Sequence, residues 1–148
     1  MIEASGTTAS SSTHDLTERL RRLLSGAPGV LVAYLYGSHA RGQPGPLSDV
    51  DVALLLDSDD DQRRLELTAE IAHAVAPARA DVVVLNDAPV ALAYRVLRDG
   101  NVLVSCDDRA RVEHRVRTID RYLDMAPARR LLASGTRNRL SEGRFGRR

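Results

Sequence analysis

Two apolar runs flank a short glycine- and proline-rich segment, and this arrangement constrains the fold more than any other feature of the chain. Residues 30–36 (Val-Leu-Val-Ala-Tyr-Leu-Tyr) read as a strand covered on both faces, and residues 49–56 as a second. Between them lie Gly37-Ser38-His39-Ala40-Arg41-Gly42, then Pro44-Gly45-Pro46, then Ser48-Asp49-Val50-Asp51. The prolines forbid a long helix here, so residues 38–42 are expected to form a short helical turn. Side chains at i and i+2 of a strand share a face. Asp49, Asp51, Ala53 and Leu55 therefore lie on one side of the second strand, and Val50, Val52, Leu54 and Leu56 on the other. Alternate aspartates are ordinarily a solvated face, but here that face continues as Ala53 and Leu55.

Such a pair of carboxylates suits a hard divalent cation, which prefers carboxylate oxygens and keeps positions open for phosphate. Gly37 lets the backbone turn sharply and approach a ligand. Ser38 then offers a hydroxyl, and the turn a helix start, to a phosphate. Arg41 either contacts that phosphate or covers the turn. A third acid, Asp81, opens the run Ala80-Asp81-Val82-Val83-Val84-Leu85, which reads as a third strand. Three carboxylates at the starts of neighbouring strands suit two-metal phosphoryl or nucleotidyl transfer, in which paired cations stabilise attacking and leaving oxygens.

Gly37-Ser38, ten intervening residues and Asp49-x-Asp51 resemble the signature of the polymerase-beta-type nucleotidyltransferase superfamily. Ala40-Arg41-Gly42, Ser48, the run Asp81 to Pro89 and Leu97-Arg98-Asp99-Gly100 narrow the resemblance to the minimal nucleotidyltransferases, the MntA-type antitoxins of HEPN–MNT toxin–antitoxin pairs. The resemblance spans residues 16–127. It implies an α/β fold, a small mixed sheet flanked by helices. It further implies ATP as substrate with Mg²⁺, two ions, and AMP transfer to a tyrosine hydroxyl of a cognate HEPN ribonuclease toxin, which is thereby neutralised. On this resemblance Asp49, Asp51 and Asp81 are both catalytic and metal-binding, and Gly37, Ser38 and Arg41 bind nucleotide. Two alternatives stand beside it. One is a non-enzymatic antitoxin acting by occlusion, against which the intact Ser38 and three aspartates argue. The other is a small-molecule enzyme of the aminoglycoside-modifying type, which ordinarily needs a further substrate-binding domain.

The chain of 148 residues is expected to form one domain over residues 15–126, with a disordered leader at 1–14 and an Arg-rich flexible tail at 127–148. Asp15 and Glu18 have capping-box spacing ahead of Leu16, Leu20, Leu23 and Leu24, so a helix is expected to start there. A second helix is expected over 62–76, with Leu65, Ala69, Ala72 and Ala76 facing inward. Others are expected over 89–98 and from 107 or 108 to 125, the last with an apolar stripe of Val112, Val116, Ile119 and Leu123. Residues 101–105 are expected as a fourth strand.

Every basic residue is arginine; none is lysine. Nine arginines face sixteen acids before residue 109, and twelve face four after it. The basic end suggests a partner surface or a solvated tail. Nucleic acid is a weaker expectation, because only Phe145 is available there to stack on bases. Cys106 is the lone cysteine, which excludes an internal disulfide and a thiolate zinc site. No run approaches the roughly 20 apolar residues of a membrane span, and a cytoplasmic protein without membrane partners is expected. Arg109 and His114 have a spacing found in HEPN ribonucleases, read here as the surface of an arginine-rich helix. His39 is expected at the surface, and Tyr94 and Tyr122 as helix-face packing.

Overall fold

The computed structural model describes residues 5–45 and 48–127. Its elements are α1 (Ser5–Ser25), β1 (Val30–Tyr36), α2 (Gly37–Ala40), β2 (Val50–Leu56), α3 (Asp61–Val75), β3 (Ala80–Val84), α4 (Val90–Asp99), β4 (Asn101–Ser105) and α5 (Asp108–Asp124). The four strands form one mixed sheet in the order β3-β2-β1-β4. β1 runs antiparallel to β2 and to β4, while β2 and β3 are parallel. Among the described residues no helix is long and apolar enough to cross a membrane.

Alternation along the strands divides the core into two layers. Val50, Val52, Leu54 and Leu56 of β2 pack in one layer with Leu16, Leu20 and Leu24 of α1 and with Leu67, Ile71 and Val75 of α3. Ala53 and Leu55 belong to the other, with Tyr34 and Tyr36 of β1 and Ala93 and Val96 of α4. The alternation expected of β2 is thus the one found, and it assigns Asp51 to the α4 side of the sheet. β3 follows the same rule: Ala80, Val82 and Val84 lean towards the first layer and Val83 towards the second. Asp81 accordingly shares the α4 side with Asp51.

The helix ends follow from their caps. The Asp60 side chain accepts from the backbone N–H of Gln62 and Arg63, at 3.0 and 3.3 Å, opening α3. Asp107 does the same for α5, accepting from Ala110 N at 3.0 Å. Tyr94 of α4 stacks on Tyr122 of α5 with ring centroids 3.7 Å apart, the helix-face packing expected of them.

Three helix readings need correction. α1 starts at Ser5, so residues 5–14, expected as a disordered leader, are helical, and the Asp15–Glu18 spacing does not mark the helix start. In α3 the buried residues are Leu67, Ile71 and Val75, whereas Leu65 is 67% exposed. The buried set is the i, i+4, i+8 row, with bulkier side chains than the alanines of the expected face. In α5 the expected stripe points outward: Val112, Val116 and Leu123 are 51%, 52% and 60% exposed, and His114 and Thr118 are buried instead. Arg109 is exposed and paired with Glu113, so the Arg109–His114 spacing joins a solvated residue to a core one. Of the expected tail, residues 128–148 lie outside the described residues.

Candidate active site

The turn after β1 brings the motif together. Gly37 has φ +72°, the left-handed region that favours glycine, and α2 then completes a single turn. Arg41 N donates to Gly37 O at 3.2 Å, and Gln43 N to Ser38 O at 3.0 Å. With four residues, α2 is too short to supply the helix-start field expected to help Ser38, so the hydroxyl and local N–H groups are what this turn offers. Asn101 of β4 donates from Nδ2 to Ala40 O at 3.1 Å, tying the turn to the sheet. The bend before β2 is closed by Ser48: Gly45 N donates to its Oγ at 2.7 Å, and Ser48 N donates to Gly45 O at 3.2 Å.

The carboxylates meet through strand pairing. In the parallel ladder Asp51 sits directly beside Asp81, and in the antiparallel one beside Tyr36. Asp49 lies just before β2. Val50 N donates to Arg79 O at 2.8 Å, which fixes where β3 starts against β2. A cavity of about 470 Å³ opens over this edge, lined by Tyr36, Gly37, Ser38, Arg41, Ser48, Asp49, Asp51, Asp81, Arg95 and Asp99. The six residues expected at the site therefore share one cavity wall, drawn from α2 and the turn after it, from β2 and the residue before it, and from β3.

The electrostatics are those of crowded acids. Burial, then Asp81 and Asp49, push the Asp51 carboxyl above the usual carboxylate range, with His39 and Arg95 opposing. Burial, Asp81 and Asp51 push the Tyr36 phenol up to about 12, again against Arg95. An array of like charges with oxygen donors calls for a cation. The donor set fits Mg²⁺, an oxygen-seeking ion bound through a few carboxylates and substrate phosphates. Among the described residues, however, no three His, Cys, Asp or Glu side chains are gathered into a ready-made metal centre.

Sequence reasoning missed Tyr36, Arg95 and Asp99, which come to the cavity from the end of β1 and from α4. No local pattern marks Arg95, and Asp99 stands within Leu97-Arg98-Asp99-Gly100, to which no site role was given; only the packing of α4 over the sheet brings the two across from the motif. His39, expected at the surface, has both ring nitrogens buried and without hydrogen bonds among the described residues. It is near enough to oppose the upward shift of the Asp51 carboxyl.

The family model described as polymerase beta, nucleotidyltransferase matches residues 18–109. A chain of a toxin–antitoxin complex crystallised with AMP-PNP is 26% identical with a TM-score of 0.70, over 81% of this chain and 97% of that one. A chain of a mutant MntA–HpeT toxin–antitoxin complex is also 26% identical, with a TM-score of 0.65 over 83% of this chain and 95% of that one. A chain of a Shewanella oneidensis complex of tri-AMPylated HEPN toxin with MNT antitoxin shares the fold at 24% identity and a TM-score of 0.66, over 84% of this chain and 98% of that one. No curated protein sequence matched. The matched region runs from α1 through β4 and holds every motif residue of the cavity, and the chain belongs to the polymerase beta nucleotidyltransferase family.

Proposed function

We propose that this protein is the antitoxin of a toxin–antitoxin pair and that it transfers AMP from ATP to a tyrosine hydroxyl of a cognate HEPN ribonuclease toxin, which is thereby neutralised. The observation that carries this reading is the alignment of Asp51 with Asp81 beside Ser38 and Arg41 in one cavity. The likeness to a chain of a toxin–antitoxin complex crystallised with AMP-PNP supports a toxin as partner and ATP as substrate.

In this reading Asp49, Asp51 and Asp81 hold Mg²⁺, which when bound polarises the phosphates and neutralises developing charge. Ser38 and the N–H groups of its turn bind the triphosphate, and Arg41 and Arg95 add charge-assisted contacts from the other sides of the cavity. Asp81 accepts the proton of the incoming phenol as its oxygen attacks the α-phosphorus. The bond between the α-phosphorus and the bridging oxygen breaks, and pyrophosphate leaves. Without a bound cation, burial and the neighbouring Asp81 and Asp51 push the Tyr36 phenol up to about 12, which favours its protonated form.

Intact-mass spectrometry of the partner after incubation with this protein, ATP and Mg²⁺ tests the reading. Each transfer adds about 329 Da, one adenylyl group, as pyrophosphate departs. A partner of unchanged mass that is nevertheless inhibited would mean silencing by occlusion. Modification of a small molecule with no change in the partner would mean an aminoglycoside-type activity.

A further inference from the structure

A second cavity, of about 170 Å³, lies away from the carboxylates, where α5 crosses the first turn of α4 and the ends of β2 and β3. Its floor includes Leu55 and Leu85, and its rim is formed by Arg117, Thr118 and Arg121 of α5. No acid lines it. At the start of α5 Arg109 is paired with Glu113 and Arg111 with Asp108. Arg117 and Arg121 make no ion pair among the described residues. Their charge is felt inside the protein: burial first, then Arg117 and Arg121, hold the His114 imidazole below its usual range, with the Leu85 backbone opposing.

His114 is 8% exposed and lines the cavity, and its Nδ1 makes no hydrogen bond among the described residues. Its Nε2 lies 3.5 Å from the Thr118 hydroxyl. Val90 starts α4 at this cavity, and its cap, Pro89, supplies no side-chain acceptor, so the positive end of a ten-residue helix adds to the same field. Buried polar atoms without partners are rare enough to require an occupant or an explanation. Two guanidiniums without ion pairs, a helix start without a side-chain cap and one buried imidazole nitrogen without a hydrogen bond among the described residues all favour the same occupant, a negative charge.

We propose that this cavity is a second anion site, which takes one small oxyanion, a carboxylate or a phosphate group, between Arg117, Arg121 and His114. Its volume is about a third of the nucleotide cavity's, too small for a nucleoside triphosphate. The inference does not depend on the proposed transfer reaction.

The test is a titration of the full-length protein with sodium phosphate and, separately, sodium butyrate, at constant ionic strength set with chloride. It follows the imidazole NMR resonance of His114, assigned by its loss in His114→Gln. A saturable shift with either probe is expected, weakened about tenfold in Arg117→Gln and in Arg121→Gln, since each removes a charge-assisted contact. The same shift is expected to persist in Arg41→Gln, which separates it from anion binding at the nucleotide cavity. A response to phosphate alone would assign a phosphate group, and a response to butyrate alone a carboxylate. No saturable shift with either probe, or an undiminished one in both α5 variants with melting temperatures intact, would overturn the proposal.

Discussion

A Cβ on Gly37 would overlap Oδ2 of Asp51, so the turn after β1 and the carboxylate of β2 occupy adjoining space. This contact explains why the motif needs glycine twice over, once for its φ of +72° and once for the room. It also makes backbone conformation and carboxylate position a single property of the site.

Gly37→Ala is therefore expected to damage fold and site together. The left-handed backbone alone costs roughly 1–3 kcal/mol, and Asp51 must also move. Urea denaturation should show the loss, and equilibrium ATP binding should weaken. Wild-type stability and affinity would mean that the turn adapts and that the contact is not a constraint.

Asp51→Asn should make the ligand-free protein more stable at neutral pH while abolishing transfer. The fold raises the Asp51 carboxyl above its usual range, so between the usual and the raised value the folded state holds more proton than the unfolded one. Stability is then lost as pH rises through that window. The asparagine variant lacks this loss, so its advantage in melting temperature should vanish below the carboxylate range and be full above it. An advantage independent of pH would place its cause elsewhere.

Arg95→Gln tests a residue that no motif marks. Losing a charge-assisted contact costs about 1.5–3 kcal/mol, so ATP affinity should fall at least about tenfold. AMP, with fewer phosphates, should lose less. Equal losses for both nucleotides would move Arg95 away from the triphosphate.

The helix faces supply a stability prediction. Leu67→Ala removes a fully buried side chain from the first core layer, at about 2–5 kcal/mol. Val116→Ser, on the exposed side of α5, should fall within about 0.5 kcal/mol. Chemical denaturation distinguishes these from the reverse order, which burial of the Val112–Leu123 stripe would produce.

These contrasts mark what sequence reading reached. The two layers of β2 were legible because period-two alternation needs only adjacent residues, and that alternation placed Asp49 and Asp51 on one face. Asp81 was legible because it is the one acid in an otherwise apolar strand, second after Ala80. The inward faces of α3 and α5 were not. Leu65 and Leu67 both occur at helical spacing with later apolar residues, and only the docking of α3 on the sheet selects Leu67, Ile71 and Val75. On α5, contact with the second core layer selects His114 and Thr118 over four aliphatics, a choice against hydrophobicity that no local rule makes. Arg95 entered the site through the same tertiary step, the packing of α4 across the strand ends.

The central claim is that an adenylyl group passes from ATP to the partner at the Asp49–Asp51–Asp81 edge. The most direct measurement compares [α-³²P]ATP with [γ-³²P]ATP, each incubated with Mg²⁺, this protein and its cognate HEPN partner. Label from the α position should become covalently attached to the partner and be absent with Asp51→Asn, and label from the γ position should appear only as pyrophosphate. Attachment of the γ label, or of neither label, would contradict the account.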